Sequence, residues 1–177
     1  MWRGVYFHHG IVASAENVIE FGGGTILEKQ RTRVQEVSIG EFERGSRAQA
    51  VRHPITHMGL TYSHASAPDI IVRRAWWLLD NQPPAYHLAG RNCEHVAIWC
   101  VTGNCYESFQ VKWVSLAGAV ISGAVMFGWR RMPNWMRYLL VALSTLIAYF
   151  CTFQYNRDSY QFGEHVRKFG ELDANSQ

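Results

Sequence analysis

Asn92 and Cys93 stand at the predicted start of a helix running over residues 92–101 and ending at Gly103. Asn is a favourable N-cap, so Cys93 falls in the first turn, where unpaired N–H groups and the helix dipole stabilise an anion. A thiolate is such an anion, and cysteines at helix N-termini have a lowered pKa and raised nucleophilicity. Taken alone, a cysteine near a helix start is more often a small buried hydrophobe. Nucleophilic chemistry also needs a base and a group that orients the base. His8 and His9 lie on a predicted first strand over 5–12, where alternate residues point to opposite faces, so one of the two can face the helix and the other cannot. Twelve residues after His8, across a predicted hairpin, stands Glu20. A carboxylate there can accept a hydrogen bond from one imidazole nitrogen and leave the other for the thiol. Its neighbours Val18, Ile19 and Phe21 make that strand apolar on both sides.

The remaining polar and sulfur-bearing residues point to less. Glu94 and His95 share a helix with Cys93 but point away from it, and are expected to satisfy local hydrogen bonds. Cys100, seven residues after Cys93, returns to the same helix face and reads as core. His53, His57, His64 and His87 lack ligand spacing, and Cys93, Cys100, Cys105 and Cys151 show no paired CxxC, so neither a metal site nor a disulfide framework is expected.

The elements that must position these residues follow from pattern. Two β-rich runs, 5–12 and 17–21, are separated by a turn-like Ala-Ser-Ala-Glu and read as a hairpin that Gly22-Gly23-Gly24 ends. Those glycines are turn chemistry and not a phosphate loop, because no helix with a Lys-Ser/Thr pair follows. Residues 33–39 alternate as a half-buried strand, and 49–53 reads as another. Residues 68–79, PDIIVRRAWWLL, open with Pro and carry apolar residues at 71, 75, 78 and 79, which predicts an amphipathic helix on a sheet. A short strand over 86–88 precedes the helix of Cys93. The order predicts an α+β domain followed by a C-terminal anchor.

At 177 residues the chain has room for one ordinary domain and an appendage, and with 48% hydrophobic and 18% charged residues it is too apolar to be disordered. The net charge of +3 is local: residues 1–110 hold ten bases and ten acids, 111–156 hold Lys112, Arg130, Arg131 and Arg137 with no acid, and 157–177 hold three bases and four acids. No nucleic-acid partner is expected from so localised an excess. The basic stretch is also the apolar one. Residues 113–129 and 138–155 each cover about 26 Å as helix, near the lower limit for a bilayer core. Trp113, Trp129, Trp135, Tyr138, Tyr149 and Tyr155 edge the runs as interfacial aromatics do, and Gly118, Ser122 and Gly123 would permit close helix contact. The division is therefore 1–110 as catalytic domain, 111–156 as a membrane anchor of one or two helices, and 157–177 as a polar tail. The start of the chain has no signal-peptide h-region, so the domain is expected in the cytosol, membrane-associated. The three arginines of RRMPNWMR would then lie on the far side if both runs span, against the positive-inside tendency, which leaves one or two spans open.

The motifs together resemble a known family. H-H-G-I at 8–11, V-I-E-F at 18–21, Tyr86, and N-C-E-H at 92–95 are similar to the lecithin:retinol acyltransferase family, and most closely to its H-box/NC phospholipase/acyltransferase branch, which includes picornaviral proteins. The similarity extends over roughly residues 5–128, through IIVRRAWWLL and the Gly/Ala-rich hydrophobic run that follows Gln110-Val111. The resemblance implies a circularly permuted papain-like (NlpC-type) fold with an antiparallel sheet and a Cys-His-polar triad. It places the nucleophile on Cys93, the general base on His8, and the orienting role on Glu20, where the family commonly has a second histidine. The Tyr86 hydroxyl, with backbone N–H groups at the helix start, is the oxyanion candidate. Val96 stands where the family has Phe. No cofactor is implied. The partners implied are a phospholipid bilayer and an acyl acceptor, either water or an amine or hydroxyl lipid. The implied activity is thiol phospholipase A or acyl transfer on glycerophospholipids through a Cys93 thioester; the rival is a non-enzymatic viral non-structural protein acting in replication or membrane association.

Overall fold

The computed structural model describes residues 8–22, 32–51, 56–57, 60–61, 64–87, 90–105, 118, 120, 122–123 and 133–174. Three strands, β1 (Gly10–Val12), β2 (Asn17–Phe21) and β3 (Val34–Ser38), form an antiparallel meander in the order β1-β2-β3. The register sets Gly10 opposite Glu20, Ile11 opposite Ile19, and Glu20 opposite Gln35. Helix α1 (Ile39–Glu43) leaves β3 directly, capped by the Ser38 hydroxyl, which accepts from the Glu41 N–H. A small hairpin of β4 (Thr56–His57) and β5 (Leu60–Thr61) follows, then α2 (Pro68–Asp80), α3 (Cys93–Thr102) and a 41-residue helix α4 (Asn134–Ala174).

The architecture is α+β, as the sequence order predicts. Strand β2 is buried on both faces because each has its own cover. Ile19 and Phe21 point into the main core with Ile11, Val34, Leu78, Val96 and Trp99. On the other face Val18 packs with Val37 and with Phe42 of α1. Helix α2 begins on Pro68, whose missing N–H costs nothing at that position, and turns Ala75 and Leu78 inward.

Three expectations change. Residues 49–51 form no strand, since among the described residues none pairs with them, and 52–53 lie outside the described residues. The strand over 86–88 contracts, in its described part, to a single bridge between His87 and Arg91. Residues 8 and 9 precede the β ladder, which begins at Gly10.

Helix α4 is the larger departure. At 1.5 Å per residue it extends about 60 Å, roughly twice what a bilayer core needs. Its first half exposes Trp135, Leu139, Leu143, Leu146, Phe150 and Phe153. Residues 134–170 include the one stretch among the described residues that is long and apolar enough to cross a membrane, and none of its apolar window is buried in protein. The helix runs on without a break through the polar residues from 157 to 174, and Asp158, Phe162 and Val166 are buried there. Phe162 and Phe169 meet the Trp99 ring edge-on at 6.1 and 5.8 Å, Phe169 also meets Trp77 at 5.8 Å, and His165 Nε2 reaches the Asn81 carbonyl at 2.9 Å. Helix α3 is thus covered by the sheet on one side and by α4 on the other. Of the first apolar run, 113–129, only 118, 120, 122 and 123 are described. All four are helical, and Ser122 Oγ meets Ser144 Oγ of α4 at 2.8 Å.

Candidate active site

The chain enters the site through His8. Because Gly10 stands opposite Glu20, a side chain two residues before Gly10 on the same face comes diagonally over the carboxylate. His8 Nε2 donates to Glu20 Oε2 at 2.6 Å, with both side chains buried. Phe42 lies alongside the imidazole, ring centres 5.4 Å apart. Gly10 is required by this approach: a Cβ there would sit 2.6 Å from Val18 Cγ1 and 2.9 Å from the Phe42 ring. Glu20 Oε1 accepts from Gln35 Nε2 at 2.8 Å, so both carboxylate oxygens are engaged.

The third side chain comes from α3. Asn92 caps the helix, its Oδ1 accepting from the N–H of Glu94 (2.9 Å) and of His95 (3.3 Å), and this sets Cys93 as the first helical residue. The same oxygen accepts from His95 Nδ1 at 2.9 Å. That bond makes His95 part of the cap, and burial pushes its pKa down to about 4, so the ring is neutral.

Cys93 and Cys100 supply an internal comparison, two buried thiols on one helix. Burial pushes the Cys100 thiol up, and the charge of Arg74 offsets only part of this. Burial acts on Cys93 in the same direction. There, hydrogen bonding to His8 and His9 and the charge of the two imidazoles outweigh it and hold the thiol well below the ordinary range. Burial likewise works against a charged His8, but the bonds to Cys93 and Glu20 prevail and raise its pKa. Glu20 is opposed by burial too, and is held low by His8, Gln35 and Arg44. All three shifts run in the direction that favours an array of thiolate beside imidazolium and carboxylate.

The signs define its pH window. His8 is raised, so its contribution is complete below its unfolded pKa and is lost as pH rises through the folded one. Cys93 and Glu20 are depressed, so theirs is present above their unfolded values and is lost as pH falls through the folded ones. The ion pair persists between the depressed pKa of Cys93 and the raised pKa of His8. Replacing Glu20 by Gln removes the charge that supports imidazolium, so the upper limit should fall by about one pH unit and Cys93 alkylation by iodoacetamide at neutral pH should slow about tenfold. An alkylation profile followed by intact mass that does not move would remove Glu20 from the array.

Of the residues singled out from sequence, Cys93, His8 and Glu20 come together. Tyr86 is buried at the end of β2, its ring 5.1 Å from that of Phe21 and against the backbone of Gly22. The expectation that only one of His8 and His9 can address the helix does not hold: alternation applies inside a ladder, and both residues lie ahead of it. Gln35 and Phe42 were missed. The alternation of RVQEVSI could have signalled Gln35, since it puts Gln35 on the face opposite Val34. Among the described residues no group of His, Cys, Asp or Glu is arranged to hold a metal ion.

An α+β domain thus sets a buried histidine–carboxylate pair, at the entry to β1 and on β2, beside a cysteine at a helix start. The model of the lecithin retinol acyltransferase family matches residues 1–106, and the chain belongs to that family, whose members are generally acyltransferases or hydrolases. Comparison with curated proteins and with solved structures returned no match.

Proposed function

We propose that the protein is a membrane-anchored thiol phospholipase A or acyltransferase acting on glycerophospholipids, with Cys93 as nucleophile, His8 as proton carrier and Glu20 as its orienting group. The observation that carries the reading is the buried His8–Glu20 pair, 2.6 Å apart, beside Cys93 at the Asn92-capped start of α3, where the histidines draw the thiol down while burial pushes Cys100 of the same helix up. The order of the site, histidine strand before cysteine helix, fits a permuted papain-like domain.

In the first half-reaction the Cys93 thiolate attacks the acyl carbonyl. As the tetrahedral intermediate collapses, the His8 imidazolium gives its proton to the departing alkoxide, releasing lysolipid and leaving a thioester. Neutral His8 then takes a proton from water or from an acceptor hydroxyl or amine as it attacks the thioester. Fatty acid or acylated acceptor leaves, and the thiolate–imidazolium pair is restored. The amides of Glu94, His95 and Val96 are taken by Asn92, so the oxyanion donor from this turn is the Cys93 N–H, with the Tyr86 hydroxyl as partner.

The exposed apolar half of α4 is a candidate membrane anchor, and the Ser122–Ser144 contact supports pairing of the two apolar runs in it. Tethering turns the search for a bilayer substrate into a local event, with the catalytic domain on the cytosolic face. Bases such as Arg137 near the edges of the runs favour anionic headgroups. Incubation with phosphatidylcholine vesicles should release fatty acid and lysolipid and leave an acyl adduct on Cys93 by intact mass, and the protein should float with the vesicles after a carbonate wash. Flotation with neither product nor adduct would leave the non-catalytic membrane role.

A further inference from the structure

Asp158 is a fully buried carboxylate on a helix that the acyl-transfer chemistry does not use. It lies one residue turn beyond Tyr155, where the apolar run ends. Its partners come chiefly from one short loop of the domain. His87 Nδ1 contacts Oδ2, and Arg91 Nη1 donates to Oδ1 at 3.3 Å; Arg157 of α4 itself lies 3.7 Å from Oδ1. That loop is tied to itself by the paired backbone bonds of His87 and Arg91, 2.8 and 3.0 Å, and by Arg91 Nε donating to the Ala85 carbonyl at 3.1 Å. Arg91 also reaches Gln161, one turn further along α4.

The loop's position in the chain gives these contacts their meaning. Tyr86 precedes His87, and Asn92 and Cys93 follow Arg91 directly. Gly90 lets the helix come in close: a Cβ there would stand 2.5 Å from Asp158 Cβ and 3.0 Å from the Tyr155 carbonyl. The Tyr155 ring in turn lies 5.6 Å from that of His95, which shares the Asn92 cap. Adhesion of α4 is supplied by Phe162, Val166 and Phe169. Apolar surfaces of that kind tolerate small slides, whereas a buried carboxylate held by an arginine and an imidazole has one acceptable position.

We propose that Asp158 is a positioning residue that ties the depth and rotation of the membrane helix to the loop carrying Tyr86, Asn92 and Cys93, so that the thiol reaches its working geometry only with α4 seated. The inference rests on the reading of Cys93 as nucleophile. It makes seating of α4 a condition of thiol reactivity as well as of membrane residence. The charged and titratable groups facing the buried Asp158 carboxylate are Arg91, nearly buried, and His87 and Arg157, both partly exposed, with Gln161 and His95 as neutral neighbours.

The test uses the full chain in phosphatidylcholine vesicles and reads the pH profile of Cys93 alkylation by iodoacetamide, located by peptide mapping, beside flotation and a thermal melt. Asp158→Asn should float and fold, while its alkylation profile moves up towards that of an ordinary thiol and its neutral-pH rate drops about tenfold. Asp158→Glu should recover part of the rate. Arg91→Met should reproduce the shift, and the double variant with Asp158→Asn should be no slower than either alone. A folded Asp158→Asn with the unaltered profile, or single effects that simply add, would overturn the proposal. Should Asp158→Asn fail to fold, His87→Gln, which breaks one contact at a partly exposed side chain, must show a smaller shift in the same direction, and an unmoved profile there overturns it as well. Because alkylation needs no lipid turnover, a protein that shows these shifts yet releases no acyl product would lose the enzymatic reading and keep the positioning role.

Discussion

Cys93→Ala should abolish acyl release from phospholipid vesicles, a loss on the order of 10⁴ or more, and remove the acyl adduct from the mass spectrum. His8→Ala should cost a similar factor by a different route, and the two are separable. In His8→Ala the thiol remains, but the strongest of the influences opposing burial is gone. Only His9 then opposes burial at Cys93, and the thiol should shift up towards the behaviour of Cys100. Iodoacetamide should therefore modify Cys93 in the unaltered protein from mildly acidic pH upward, and in His8→Ala only under alkaline conditions. A His8→Ala protein alkylated at neutral pH at the unaltered rate would show that the histidine does not create the thiolate. A Cys93→Ala protein that still releases lysolipid would place the nucleophile elsewhere. The comparison exploits a property of the fold: both cysteines are buried, and only Cys93 has imidazoles bonded to it, whereas the charge of Arg74 offsets only part of the burial of Cys100.

Phe162→Ala should be the most destabilising single change outside the site. The ring is wholly buried and meets Trp99 edge-on, in a cluster that also takes in Val166 of α4 and Leu78 of α2. Removing it deletes buried area and leaves a cavity, at a cost of about 3–5 kcal/mol, or roughly 10 °C in melting temperature for a chain of this size. Tyr160→Ala, two residues away and mostly exposed, should change the melt by less than about 0.5 kcal/mol. Melts in detergent micelles compare the two on equal terms. Equal behaviour would mean that the second half of α4 lies on the domain without joining its core.

Much of the local structure was legible. The N-cap at Asn92 and the αL stop at Gly103 bound α3 as expected, Pro68 opens α2, and the hairpin of β1 and β2 pairs as the flanking turn residues predict. Each is decided by groups within a few residues of one another. In its described part, 49–51, the strand expected over 49–53 does not form, because a β-rich run becomes a strand only when an edge pairs with it and none does among the described residues. The change of composition near residue 156 marks where the surroundings of α4 change, whereas the helix itself has no proline or cap there to end it. Two signals of the docked half were present. Asp158, Phe162, Val166 and Phe169 recur at helical spacing. Helix α3, with Cys93, Val96, Ile98, Trp99 and Cys100 placed all round, requires cover on two sides, and the sheet supplies only one.

The sequence by itself determined which residues begin and end the helices, which strands pair, and that a histidine, a carboxylate and a cysteine of the right types exist to be assembled. Hydrogen-bond periodicity and capping act along the chain, so their outcome is written in neighbouring residues. Only the tertiary structure decided that both histidines bear on Cys93, that its thiol is driven down while Cys100 is driven up, and that Asp158 closes on the loop before Cys93. Desolvation and charge act through space. Their sign at each group depends on which atoms arrive from 60 or 80 residues away, about which the order of residues around the group carries no information.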